Sequence, residues 1–362
     1  ATLNMKTINL ELKDSNYPIK VGENILNQES LELLEGKEIL VVYDNKLPED
    51  SLKVLKESLP PNLLDLEFIS IYASEENKSL ETLSKIHSIL IEKKYSRDAV
   101  LIGFGGGIVC DITGFAASTY QRGVDFILIP TTLLAQVDAS VGGKTAINHP
   151  SGKNMIGSFH QPRLVVIDSL FLATLPLKEI SCGMAEVIKH GLIQDIDYFE
   201  WLEKNIEDIL DLESAAIEHT ISRSLEIKAN IVSRDEKERG DRALLNFGHT
   251  FGHAIELIGG FKEYNHGEAV SLGMIIALNL SKLMGKIKDS DIERCQNLLK
   301  KAGITTKPIA KLDAEIVYQS MLGDKKKSGN DMNFIILNQL GSATKVSKID
   351  KSILTRAIDS SF

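Results

Sequence analysis

A parallel α/β domain followed by a mostly α-helical one is the fold class this sequence predicts. Three observations lead there. Between residues 37 and 168, short apolar runs alternate with amphipathic stretches, the pattern of βαβ units and a parallel sheet. From about Leu177 the apolar period lengthens to near 3.6, that of packed helices. The chain has 362 residues, no internal repeat and no low-complexity linker. That length suits two domains, 1–176 and 177–362, with the active site in the cleft between them.

The elements justify themselves in order. "KEILVVYD" (37–44) reads as a buried strand and "EDSLKVLKESL" (49–59) as a helix. "LDLEFISIY" (64–72) is a strand and "SLETLSKIHSILIEKK" (79–94) a helix. "DAVLIGFGGG" (98–107) is a strand running into glycines, followed by a helix to about Tyr120 and the strand "VDFILIP" (124–130). A short helix and an irregular stretch lead to the strand "RLVVID" (163–168). Helical periods then dominate at 181–193, 214–232, 266–285 and 291–303, and "NFIILNQLGSATKV" (333–346) suits a hairpin turning around Gly341.

Composition narrows the function. A formal net charge of −9 opposes a nucleic-acid or membrane-surface role, because phosphate backbones need basic faces. No apolar run reaches the length of a membrane span. The N-terminal stretch lacks the apolar core of a signal peptide. Cys110, Cys182 and Cys295 are odd in number, far apart and without CxxC spacing. They suggest neither a disulfide framework nor a cysteine metal site, and fit a reducing cytosol.

Four stretches carry chemistry. "GFGGGIVCD" (103–111) runs a strand into glycines and a helix, a Rossmann-like turn where a pyrophosphate can sit on the helix N-terminus over Gly105, Gly106 and Gly107. It departs from G-x-G-x-x-G at Ile108 and lies on the third strand–helix unit, so plain turn punctuation stays equally open. The stretch 120–157 sets Arg122, Asp138, Lys144, Lys153 and Asn154 among small residues, which suits a folded loop around an anion better than a solvated face. In "SCGMAEVIKHGLI" (181–193), Glu186 stands three residues before Lys189 amid apolar neighbours. That is a semi-buried carboxylate in need of a partner, where a surface ion pair would be worth little.

"NFGHTFGHAIE" (246–256) places His249 and His253 on one helix face. Alone, such a pair is more often two core histidines with satisfied hydrogen bonds. "YNHGEAVSLG" (264–273) then adds His266 at a helix start. Glu186, His249 and His266 make a His2Glu set, three protein ligands with an open position, as in catalytic zinc sites. His253 is left for acid–base or phosphate work.

The segments "GGGIVCDITGFAASTYQRGV", "IPTTLLAQVDASVGGKTAIN", "GKNMIGSFHQP", "GMAEVIKHG", "LNFGHTFGHAIE" and "NHGEAV" together resemble the 3-dehydroquinate synthases, a sugar phosphate cyclase family, over most of the chain. The resemblance implies an N-terminal NAD domain, a C-terminal helical metal domain and a cytoplasmic homodimer. The implied reaction turns 3-deoxy-D-arabino-heptulosonate 7-phosphate into 3-dehydroquinate and phosphate in the shikimate route. It runs through transient oxidation by NAD, phosphate elimination, reduction and intramolecular aldol closure.

Carried over residue by residue, the resemblance makes Glu186, His249 and His266 ligands of Zn2+, with Co2+ an alternative. Asp44, Glu75, Lys78, Gly105, Gly106, Gly107, Asp111, Thr131, Thr132 and the segment Phe171, Leu172, Ala173 and Thr174 match NAD positions, with Lys144 and Lys153 beside both ligands. Asp138, Lys144, Lys189, Asn246 and His253 match catalytic positions, and Asn154, Lys228, Arg242 and one of Lys325 and Lys326 substrate positions. Arg122 resembles an arginine that reaches the phosphate from the neighbouring subunit. Ser74, Cys110, Ala139 and His160 depart from the family's usual residues, and Cys110 is placed to crowd the glycine turn.

Two rivals from other classes stand beside this reading. A metal-dependent polyol dehydrogenase of the glycerol type needs no phosphate pocket, so Lys144, Asn154, Lys228, Arg242 and His253 weigh against it. A non-catalytic NAD-binding regulator needs no metal triad. Within the family the rival is another sugar phosphate cyclase, and Asn246 and His253, which match the dehydroquinate version, weigh against it.

Overall fold

The computed structural model describes residues 4–328 and 331–362, without the side chains of 325–328. The chain divides into two compact units: Ala1–Pro176 with Ile217–Glu236, and Leu177–Ala216 with Lys237–Phe362.

In unit 1 the strands are β1 (Met5–Glu11), β2 (Asn16–Gly22), β3 (Glu38–Asp44), β4 (Asp65–Ile71), β5 (Val100–Gly105) and β6 (Asp125–Pro130). They continue with β7 (Lys144–His149), β8 (Gly152–Phe159) and β9 (Leu164–Asp168). The helices between them are α1 (Glu49–Ser58), α2 (Leu80–Glu92) and α3 (Gly107–Thr119). Seven strands form one sheet in the order β1-β2-β9-β6-β5-β3-β4. All its neighbours pair in parallel except β1 with β2. β5 and β9 are buried at every position, as apolar runs in a parallel sheet demand.

The order β4-β3-β5-β6-β9 is the doubly wound 2-1-3-4-5 arrangement, so the winding reverses between β3 and β5. This explains why the glycine turn stands on the third strand–helix unit. In this order the third strand, and not the first alone, borders the switch point. Ligands of such sheets bind outside the carboxyl ends of the strands at that point, which here are Asp44 and Gly105.

Two parts of unit 1 differ from the sequence expectation. Residues 5–22 form the β1–β2 hairpin, an antiparallel addition to the sheet. The stretch expected to be a short helix and an irregular loop is a π-helical turn, Ala135–Ala139, and the β7–β8 hairpin. β7 buries Thr145, Ala146 and Ile147, while β8 is mostly exposed. Most of α6 (Ser214–Arg234) also packs with unit 1, where Glu226 pairs with Lys6 and Arg223.

Unit 2 holds α4 (Leu177–Gln194), α5 (Ile196–Leu210), α7 (His249–Ile258), α8 (His266–Leu283) and α9 (Asp289–Lys301). After them come α10 (Ala314–Ser328), the antiparallel pair β10 (Asn333–Gln339) and β11 (Ser342–Ser347), and α11 (Lys351–Asp359). The sequence "AVSLGMIIALNLS" of α8 is apolar almost all round, and a helix of that kind must be enclosed. It is buried from Ala269 to Ser281 and touches α4, α7, α9, α11 and β10. Among the described residues no helix is long and apolar enough to cross a membrane.

Candidate active site

The histidine motif of unit 2 is built on glycines. Gly248 precedes α7 with φ 78°, a left-handed conformation that favours glycine. A Cβ on Gly252 would meet Ala269 O at 3.0 Å, and one on Gly273 would stand 2.0 Å from Gly248 O. The missing side chains let α7 and α8 close backbone to backbone. His266 is fixed separately. It is the first residue of α8, behind a capping box in which Asn265 accepts from Glu268 N and Glu268 accepts from Asn265 N.

These two devices bring both rings onto α4. Glu186 Oε1 lies 3.0 Å from His249 Nε2 and 2.7 Å from His266 Nε2. Glu186 is fully buried, and its Oε2 forms an ion pair with Lys189, itself 1% exposed. Burial pushes the Glu186 carboxyl up, but Lys189 and the two histidines outweigh it and hold it well below the usual carboxylate range.

His249 Nδ1 lies 3.1 Å from Phe247 O. A carbonyl only accepts, so Nδ1 carries the proton, and Nε2 of the neutral ring turns a lone pair towards an ionised carboxylate oxygen. Two lone pairs at 3.0 Å require a cation between them, either a second ring proton or a metal ion. The three ligand atoms lie within 4.8 Å of one another. One carboxylate oxygen and two imidazole nitrogens are a donor set for Zn2+ or Co2+, and the orienting bond to Phe247 O is the outer-shell contact such ligands have. The residues therefore fit a divalent ion.

Around the triad, the His253 ring is exposed and stands perpendicular to that of His249, 5.7 Å between centroids. Arg242 is buried in the short turn Asp241–Asn246, and Asn246 Nδ2 donates to Glu238 Oε1 at 3.1 Å. Lys325 and Lys326 fall on α10, and their side chains lie outside the described residues.

In unit 1 the glycine turn has the shape of a cradle. A Cβ on Gly106 would meet Thr132 Cγ2 at 3.1 Å, one on Gly107 would meet Ala139 Cβ at 3.3 Å, and one on Gly105 would meet Asp44 Cβ at 3.3 Å. Thr131 N donates to Gly105 O at 2.9 Å, tying β6 to the turn. α3 starts at Gly107 with no side-chain cap, so its first N–H groups point into this space. The turn fits a dinucleotide pyrophosphate. Cys110 does not crowd it: the side chain is buried behind the turn, with Sγ 4.0 Å from Gly105 O. Phe171 packs edge-on against Phe104 and Leu172 is buried beside it, while Ala173 and Thr174 are exposed.

A polar network lies beside the cradle. Lys78 Nζ donates to Asp111 Oδ2 and to Asn154 Oδ1, both at 2.6 Å. Burial pushes the Asp111 carboxyl up, against the pull of Lys78. Lys153 Nζ lies 3.4 Å from Glu75 Oε1. Lys228, from α6, donates to Asp138 Oδ1 at 2.6 Å and also to the Asp138 carbonyl on the π-helical turn. Lys144 is exposed at the start of β7, after Gly142 and Gly143 with φ 111° and 71°. Arg122 is exposed in a turn whose residues Gln121, Arg122 and Gly123 have φ 50°, 63° and 121°. Sequence reasoning missed Asn148, Glu238 and the carbonyl of Phe247. It also missed the capping box, although Asn265-x-x-Glu268 is a readable signal.

Residues 68–182 match the family model described as 3-dehydroquinate synthase N-terminal, and residues 183–327 match 3-dehydroquinate synthase C-terminal. This chain belongs to the 3-dehydroquinate synthase-like sugar phosphate cyclase family. Solved structures agree with that membership. The cyclase is similar to 2-epi-5-epi-valiolone synthase from Streptomyces hygroscopicus subsp. jinggangensis 5008, solved with NAD+ and Zn2+. Identity is 25%, coverage 96% of this chain and 97% of that one, and TM-score 0.87. It is equally similar to 2-deoxy-scyllo-inosose synthase complexed with carbaglucose-6-phosphate, NAD+ and Co2+, at 26% identity, 99% and 100% coverage and TM-score 0.87. A probable glycerol dehydrogenase from Sinorhizobium meliloti 1021 shares the fold alone, at 17% identity, 93% and 95% coverage and TM-score 0.61.

Proposed function

We propose that this family member is a 3-dehydroquinate synthase of the shikimate route, a cytoplasmic homodimer using NAD and Zn2+, with Co2+ able to replace zinc. Its substrate is 3-deoxy-D-arabino-heptulosonate 7-phosphate. Unit 2 supports the reading best: buried Lys189 and Arg242 and the exposed His253 accompany the His2Glu cluster in a chain of net charge −9. A neutral polyol calls for no such gathering of basic side chains. A substrate with a carboxylate and a phosphate does.

Glu186, His249 and His266 hold the ion. Asp44, Gly105–Gly107, Asp111, Thr131, Thr132 and residues 171–174 hold the dinucleotide, with Glu75, Lys78, Lys144 and Lys153 at its edge. When bound, NAD supplies a reversible hydride acceptor and the ion a Lewis acid. Lys189 and Asn246 orient the ring hydroxyls in unit 2. There Arg242, with Lys325 or Lys326, takes a charged end of the substrate. In unit 1 Lys144, Asn154 and Lys228 do the same, and Asp138 holds Lys228 in place. His253 stabilises the departing phosphate and handles its proton. Arg122 completes the phosphate site of the second protomer.

The test is phosphate release from the heptulosonate phosphate with NAD and zinc present. The neighbouring valiolone and inosose synthases keep another cyclase activity in contention. Glucose 6-phosphate and a heptulose 7-phosphate lacking the carboxylate are therefore run in parallel. Turnover of either, with none of the heptulosonate, refutes the dehydroquinate reading in favour of that rival.

A further inference from the structure

The β7–β8 hairpin contains a bulge that centres on Asn148. Its ladder pairs Ile147 with Ile156 and then His149 with Gly152, so Asn148 alone faces Lys153, Asn154 and Met155. A bulge takes residues out of the ladder and re-aims their side chains, and bulges concentrate beside active sites. Two of the three re-aimed residues, Lys153 and Asn154, belong to the proposed cofactor and substrate set. Asn154 is also held in a left-handed conformation, φ 57°, where asparagine is tolerated better than most residues.

The Asn148 side chain holds this bulge from both sides. Its Oδ1 accepts from Asn154 N at 3.0 Å. Its Nδ2 donates to Glu75 Oε2 at 2.7 Å and to Glu75 O at 3.0 Å. Its backbone N–H donates to Lys78 O at 2.7 Å. One residue thus ties the hairpin to the turn 74–78, the two pieces whose side chains make the Lys78–Asn154 and Lys153–Glu75 contacts. The task needs an amide. An ionised aspartate could still accept from Asn154 N, but it has no proton to give Glu75 and would set a second carboxylate against it.

We propose that Asn148 is a positioning residue that aims Lys153, Asn154 and Glu75 at the dinucleotide and the phosphorylated substrate. The proposal rests on the functional reading above, and its test separates the two. Asn148→Ala and Asn148→Asp are compared with the wild type by NAD titration, steady-state phosphate release and hydrogen exchange of the peptide covering 152–156. Asn148→Ala should speed exchange at the Asn154 amide. It should raise the NAD Kd and the sugar-phosphate KM by about tenfold each, the order of one lost hydrogen bond to a charged group, with kcat little changed. Asn148→Asp should be weaker still at neutral pH and recover relative to wild type as pH falls. Protonation restores a donor towards Glu75, a recovery that a purely structural defect would not show.

If the wild type binds NAD yet releases no phosphate from the heptulosonate phosphate, the functional reading fails, and the NAD and exchange arms still decide the role of Asn148. Faster exchange with unchanged Kd and KM reduces Asn148 to a structural brace and overturns the proposal. So does an Asn148→Asp defect that is constant with pH.

Discussion

One added methyl group on α8 should weaken metal binding at α7. A Cβ on Gly273 would stand 2.0 Å from Gly248 O and 2.6 Å from Gly252 N, both backbone atoms that cannot rotate away. Carbon–oxygen contacts begin near 3.3 Å, so α7 has to recede by about 1.3 Å. Gly248 and Gly252 flank His249, which moves with them, while Glu186 and His266 stay on α4 and α8. Metal–ligand distances tolerate only about 0.2 Å, several times less than that recession. Gly273→Ala should therefore fold with a loss of about 1–3 kcal/mol from overpacking and bind zinc roughly 10–100-fold more weakly, the range for disturbed supporting contacts. Gly285→Ala is the control: φ is 75° and nothing lies within 4 Å of its Cβ, so it carries backbone strain without displacing α7. The assay is zinc competition against a chromophoric chelator, beside thermal unfolding of both variants. Wild-type zinc affinity in Gly273→Ala would refute the claim that the glycine contact sets the ligand geometry.

Other outcomes follow from the same geometry. His253→Ala should keep its metal and NAD and lose phosphate release by roughly 10²–10³-fold, whereas His249→Ala should lose the metal; equal metal loss in both would make both histidines ligands. Gly106→Val drives a branched side chain towards Thr132 and into the cradle, and should abolish NAD binding without altering the circular dichroism spectrum; unchanged affinity removes the site. Mixing Arg122→Ala chains with Lys189→Ala chains should restore part of the activity in hybrid dimers, and no restoration in hybrids shown to form places Arg122 within its own site. All three thiols are buried, and burial pushes Cys182 up to about 12. A thiol reagent at neutral pH should label none before unfolding, and a fast-reacting cysteine in the native protein would contradict their burial.

The sequence was most readable where one chemical pattern decides the structure locally. β3, β5, β6 and β9 are continuous apolar runs because parallel strands bury both faces, and α8 is apolar all round because it is enclosed. The β7–β8 hairpin was hidden because β8 is mostly exposed and shows no alternation, although Pro150-Ser151-Gly152 is a turn signal. The switch point was hidden for a different reason. Strand order depends on pairings such as β3 with β5, which span more than fifty residues and leave no local pattern. At the site, the three metal-ligand candidates were readable from residue type, and their mutual placement was not. That placement comes from Gly273 against Gly248, a contact between backbones, and from the carbonyl of Phe247, which any residue could provide.

Residues 217–236 count with unit 1, although the forty before them and everything after count with unit 2. During synthesis at about 5–20 residues per second, the chain from Pro176 to Glu236 takes about 3–12 s to emerge. For that interval the sheet is complete in its strands, yet Asp138 waits for Lys228, its partner ninety residues on. The unit that appears first from the ribosome thus finishes only after the first forty residues of the other have emerged. The same interleaving governs how the gene can be cut. A fragment ending at Pro176 lacks the helix that unit 1 packs with, so recombination between relatives has to exchange three crossing points together to leave either unit whole.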